Sequence, residues 1–155
     1  MWIVGNINTR AIREPLVLAA LARGFLRSSV LVNRAIMQRW DIPPLYEAGV
    51  QFGREPWHGK GVEEFADCLT VYQRGWGDCD DLAPYRVAEL QEQGERADFR
   101  IYWRFNRRGH LEVFHIQVRR ANGWIEDPSR YLGMAHPQIV RANTWPLERV
   151  FSLAA

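Results

Sequence analysis

Residues 98–127 read DFRIYWRFNRRGHLEVFHIQVRRANGWIED, and the period of this stretch decides the fold class. Phe99, Ile101, Trp103 and Phe105 alternate with Arg100, Tyr102, Arg104 and Asn106. A repeat of two marks a half-buried strand, because successive side chains point to opposite faces of a sheet. RRGH at 107–110 is a turn, and LEVFHIQVRR at 111–120 is a second strand. It carries Phe114, Ile116 and Val118 on one face and Val113, His115 and Gln117 on the other. ANG at 121–123 turns the chain again, and WIEDP at 124–128 is a third short strand stopped by Pro128, which has no N–H to give a ladder. These residues predict an antiparallel meander.

Upstream the period lengthens. GWGDCDDLAPYRVAELQEQG at 75–94 reads as a glycine-marked turn followed by a helix that begins near Cys79 and ends at Gly94. Pro84 predicts an irregular or kinked first turn between Cys79 and Pro84. VEEFADCLTVY at 62–72 spaces Val62, Phe65, Ala66 and Leu69 along one helical face, and GVQFGR at 49–54 is a short extended piece. Residues 9–40 are amphipathic, with Leu16, Ala20, Leu21, Phe25, Val32, Ala35 and Ile36 set between arginines. Pro15 suits a first turn, Gly24 with Ser28 and Ser29 predicts a break into two helices, and Pro43 with Pro44 ends them. Helices first and a meander afterwards predict an α+β fold.

The 155 residues are enough for one domain, 1–155, within which residues 1–40 form a basic helical segment. That segment carries six arginines against Glu14, while residues 41–155 carry 14 basic and 17 acidic residues. The net charge of +2 does not describe a nucleic-acid binder. The basic segment is read as a helix packed on the core with solvated arginines; docking on a partner or an anionic surface is its alternative. No secretory signal pattern opens the chain, and the uncharged run from Pro15 to Ala22 is short for a membrane span, so no transmembrane segment is expected. A reducing cytoplasm with free Cys68 and Cys79 is the expected setting.

Cys79 lies among Asp78, Asp80 and Asp81, an unusual setting for a thiol. If it begins a helix, the local dipole favours a thiolate by about 0.3–1 kcal/mol, and the carboxylates oppose it. At about 100° per residue Asp81 points away from the sulfur, Asp78 suits a cap, and Asp80 is unexplained. A cation must then come from elsewhere. His115 on the second strand and Asp127 at the end of the third are neighbours in an antiparallel hairpin, whose strands lie about 4.8 Å apart. Cys79, His115 and Asp127 follow in the order nucleophile, base and orienting carboxylate.

GWGDCDDLAPYRVAEL, HIQV and WIEDPS resemble the Cys, His and Asp motifs of the transglutaminase-like superfamily of papain-like folds. PPLYEAGVQFGREPW and SRYLGM are similar to its small phage-encoded members, so the resemblance covers about residues 42–134. It implies Cys79 as nucleophile, His115 as base and Asp127 as orienting carboxylate, acting on a protein or peptide substrate. It implies a phage or prophage origin, action in the cytoplasm of the bacterial host, and association with virion or tail components. No cofactor is expected. The backbone N–H of Cys79 is one oxyanion donor, and Trp76 and Gln51 are candidates for the second.

Other assignments compete. Cys68 reads as a buried apolar residue. His110 is the rival base if the strand register slips, while His58 and His136 fall in loops. Cys79, Asp80, Asp81, His115 and Asp127 contain metal-ligand types, but one histidine without repeated Cys/His spacing argues against zinc, and no metal is expected. Arg104, Arg107, Arg108, Arg119 and Arg120 read as a solvated strand surface, or as a rim for an acidic substrate. A hydrolase, an acyltransferase forming isopeptide cross-links, and a non-catalytic adaptor on the same scaffold all remain open at the level of sequence.

Overall fold

The computed structural model describes residues 4–8, 11–12, 14–56, 62–105, 107–108 and 111–135. The elements run β1 (Val4–Asn8), α1 (Pro15–Met37), a 3₁₀ turn at Leu45–Glu47, β2 (Gln51–Phe52), β3 (Val62–Ala66), α2 (Cys68–Arg74) and β4 (Trp76–Gly77). They continue with α3 (Cys79–Glu92), β5 (Ala97–Phe105), β6 (Leu111–Arg120), β7 (Ile125–Glu126) and α4 (Pro128–Tyr131). Helix and sheet are both substantial, as an α+β chain requires.

The meander forms as its period predicts. β5, β6 and β7 make an antiparallel sheet in that order, with Phe99 opposite Val118, Ile101 opposite Ile116, and Trp103 opposite Phe114. Directly opposed residues share a face, so these apolar pairs lie together. They pack with Ala83, Val87, Ala88 and Leu90 of α3 and with Leu18, Ala22, Leu26 and Val30 of α1. A second apolar cluster joins Leu45, Val71, Cys68, Leu82 and Tyr85 on another side of α3. α3 is therefore central: from Asp80 to Leu90 every residue but Arg86 is buried. Such a helix needs no single apolar stripe, because it is covered nearly all round.

Three local expectations give way to tertiary contacts. Residues 15–37 form one helix and not two, despite Gly24, Ser28 and Ser29. A glycine costs about 1 kcal/mol in a helix. The buried stripe of Leu18, Ala22, Leu26, Val30 and Asn33 continues across it, and Ser29 Oγ donates to the Phe25 carbonyl (3.0 Å). The helical spacing over 62–72 divides into strand β3 and helix α2 at Asp67. β3 pairs antiparallel with β1, a partner some 58 residues upstream that no local window can register, and the Asp67 side chain caps α2 by accepting from the Thr70 N–H (2.7 Å). Pro84 lies within a continuous α3, so the irregular first turn does not form. Only the hydrogen bond to the Asp80 carbonyl is forgone there.

By length and composition α1 could cross a membrane. The face it presents to α3 and the sheet is nonetheless a core face, and Leu26 is fully buried in it. Leu26→Ala should cost about 2–5 kcal/mol, read as a lowered midpoint in urea at unchanged slope.

Candidate active site

Asp78 is the N-cap residue of α3, and Cys79 is its first helical residue. Two structures hold this helix start in place. Gly77 in β4 pairs with Phe52 of β2, and a Cβ on Gly77 would come within 3.1–3.3 Å of Asp81, Leu82 and Val71. A side chain at residue 77 would press on α2 and α3, which would have to yield by a few tenths of an ångström. Asp81, fully buried, accepts from the Ala66 N–H (2.7 Å) and the Asp78 N–H (3.4 Å), and pairs with the Arg74 guanidinium. It thereby joins β3, α2 and α3.

Cys79 is partly exposed as a residue, and its sulfur is buried against the β6 backbone. Its Sγ lies 3.8 Å from the Phe114 carbonyl oxygen, and the Ile116 N–H is directed at it. β7 pairs with β6 only at Val118 and Arg119, so it does not cover this stretch. Burial pushes the Cys79 thiol well above its ordinary range; Asp78, Glu63 and Asp81 push the same way, and the Ile116 N–H opposes them. The thiol is thus neutral at rest. Helix-start stabilisation of a thiolate, expected from position alone, is outweighed by desolvation and by the carboxylates. Burial raises the Cys68 thiol to about 12. Cys68 is fully buried, hydrogen-bonded to the Asn33 backbone carbonyl (3.8 Å), and structural.

His115 and Asp127 meet. Nε2 of His115 lies 2.9 Å from Asp127 Oδ2, and both side chains are about nine-tenths buried. Gln117 Nε2 donates to the same oxygen (2.9 Å), and the Arg130 N–H donates to Oδ1 (3.2 Å). Burial raises the Asp127 carboxyl, but hydrogen bonds from His115 and Gln117 prevail and hold it below its ordinary 3.8. The neighbouring Glu126 anchors β7: it receives Arg86 (2.6 Å), Arg120 (2.9 Å) and the Tyr46 hydroxyl. Stability from the Asp127 contacts is present above 3.8 and is lost as pH falls through the lower folded value. Asp127→Asn should therefore flatten the fall in stability that begins near pH 3.8, measured by urea unfolding between pH 2 and 5.

The structure thus joins two of the three expected residues and sets the third against the backbone on either side of His115. His115 shares a sheet face with Tyr102 and Gln117, opposite to the face of Phe114 and Ile116. Among the described residues, no hydrogen bond links its ring to Cys79. The oxyanion candidates lie on the paired strands β2 and β4, where Gln51 is exposed and opposite Trp76. The Trp76 ring packs beneath the Arg74 guanidinium (3.9 Å) and closely against Gly53. Neither hydrogen-bonds to Cys79 among the described residues. His58, His110 and His136 lie outside the described residues.

Two arginines of the rim are ion-paired: Arg119 meets Asp98 (3.6 Å), and Arg120 meets Glu95 and Glu126. A cavity of about 800 Å³ is lined by Arg27, Val87, Gln91, Arg96 and Arg119, near the opposite end of α3 from Cys79. Sequence reasoning overlooked Gln117, although it sits two residues from His115 and so on the same strand face. It also overlooked Glu55 and Glu63, which come from loop and strand segments with no motif to mark them. Burial, followed by Glu55 and Asp81, raises the Glu63 carboxyl to about 7. Compared with protein-family models, curated proteins and solved structures, the chain matches none.

Proposed function

We propose that this chain is a cysteine-dependent hydrolase, a peptidase or amidase, built on a papain-like core of the transglutaminase-like kind. Cys79 is the nucleophile, His115 the base and Asp127 the orienting carboxylate. What supports this most is the buried His115–Asp127 pair at 2.9 Å, carried on the strand whose backbone contacts the Cys79 sulfur.

A carboxylate on Nε2 favours the imidazole tautomer protonated there, leaving the Nδ1 lone pair to take a proton. Because the thiol is neutral at rest, the proton leaves during attack. This step requires the imidazole, which lies on the sheet face opposite Phe114 and Ile116, to swing round β6 to the sulfur. Sγ then bonds to the acyl carbon as Nδ1 takes the thiol proton, and the resulting oxyanion is met by the backbone N–H of Cys79 at the start of α3. The imidazolium returns that proton to the departing amine as the C–N bond breaks. Water, deprotonated by the same imidazole, cleaves the thioester and restores the thiol.

A peptidyl electrophile should form an adduct at Cys79, located by mass spectrometry, and His115→Ala should slow its formation at least a hundredfold. An adduct only at Cys68, or none across a broad peptide panel, would remove the assignment. Asp127→Asn should lower turnover by about 10²–10⁴ through loss of imidazole orientation. Incorporation of a labelled primary amine, in place of release of the free acid, would make the enzyme an acyltransferase.

A further inference from the structure

Beside the start of α3, three carboxylates from two separate segments converge. Glu55 follows β2, Asp78 caps α3, and Asp80 lies in its first turn. One oxygen from each lies within 4.8 Å of the other two. The three residues are 3%, 5% and 0% exposed. As ionised carboxylates, both oxygens of Glu55, both of Asp80 and Oδ1 of Asp78 are buried without a hydrogen-bond donor, and Asp78 and Asp80 stand close enough to share a proton. Arg74, the cation that reaches the neighbouring Asp81, is shared with Glu64.

Buried carboxylates are tolerated when a counter-charge or a proton compensates them, and like charges side by side raise the cost further. Three converging carboxylates with five orphaned oxygens among them constitute an all-oxygen donor set, which suits a hard divalent ion. Calcium accepts a dry cage built wholly of protein oxygens, whereas magnesium demands octahedral geometry and gives up its waters reluctantly. Zinc would call for imidazole or thiolate, and the nearby Cys79 thiol is directed at the β6 backbone.

We propose that Glu55, Asp78 and Asp80 form a binding site for one divalent cation, with calcium preferred over magnesium. The ion fastens the segment after β2 to the start of α3, joining pieces that the two-residue pairing of β2 with β4 holds only weakly. The site stands or falls independently of the hydrolase assignment, since its occupancy is read without substrate.

The full chain, stripped with a chelator, is titrated with calcium or magnesium chloride and followed by calorimetry and thermal unfolding. One calcium per chain is expected, with the unfolding temperature raised by about 5–10 °C at a hundredfold excess over Kd, and a smaller rise with magnesium. Glu55→Gln should weaken calcium binding at least tenfold. Should that variant not fold, infrared difference spectra of the parent chain report the ion, because calcium should shift the carboxylate stretching bands on binding. No heat and no shift at 5 mM of either ion would overturn the site, and shared protons would then hold the cluster together. Undiminished binding by Glu55→Gln, or carboxylate bands unmoved by calcium, would overturn it equally.

Discussion

Cys79→Ser will abolish turnover, lowering it by about four to six orders of magnitude, while the chain still folds. A serine hydroxyl at that position gains nothing from an imidazole arranged for a thiol, and a triad that has lost its nucleophile retains only what binding and oxyanion contacts supply. The substitution leaves α3 undisturbed: the residue is half-buried, and serine is a close match in volume. Hydrolysis under single-turnover conditions, with circular dichroism of the same sample, checks both halves. Full activity in the variant would end the nucleophile assignment.

Arg74→Ala will destabilise the chain by about 3–5 kcal/mol near neutral pH and lower its unfolding temperature accordingly. Arg74 is the guanidinium that compensates Asp81, which is fully buried, and it also holds Glu64 (3.3 Å) and the Trp76 carbonyl (2.8 Å). Removing it strands an anion in the core at the joint of β3, α2 and α3. Burial already raises the Asp81 carboxyl to about 7, against the pull of Arg74 and the Ala66 N–H. A carboxyl raised on folding favours the folded state while protonated, and that advantage fades as pH rises from 3.8 through the folded value. The cost of Arg74→Ala should therefore grow between pH 5 and 8. Urea unfolding across that range, with Arg74→Met/Asp81→Leu as the apolar replacement, measures it. The double variant should recover part of the loss, because no fully buried anion is left unpaired, although Glu64 and the Ala66 N–H lose their partners. A penalty under 1 kcal/mol at pH 8 would mean that Asp81 is held neutral without Arg74.

These effects show where local pattern is informative and where it fails. The alternation from Phe99 to Val118 was legible because every second residue must face the core, and Gly94 and Gly123 mark their turns with left-handed backbone. The start of α3 at Cys79 was legible from the capping aspartate. β1 and β3 were not, since their pairing depends on contact between residues about 58 positions apart. The division of α1 at Gly24 was a reasonable local expectation, overridden because the helix buries one unbroken stripe against α3.

The candidate site divides in the same way. Cys79, His115 and Asp127 could be named from residue type and order, and the hairpin alone brings His115 to Asp127. Gln117 as second donor to Asp127, the lodging of the sulfur on the Phe114 and Ile116 backbone, and the gathering of Glu55 with Asp78 and Asp80 emerge only in three dimensions. By itself the sequence determined the strand faces, the central helix and the residue types available for chemistry, because these follow from periodicity and capping within a few residues. Tertiary structure decided which groups lose water and which charges stand together. Burial and electrostatic proximity are set by chain segments that meet across the fold, and those settle whether the thiol is neutral and which carboxylates lack a partner.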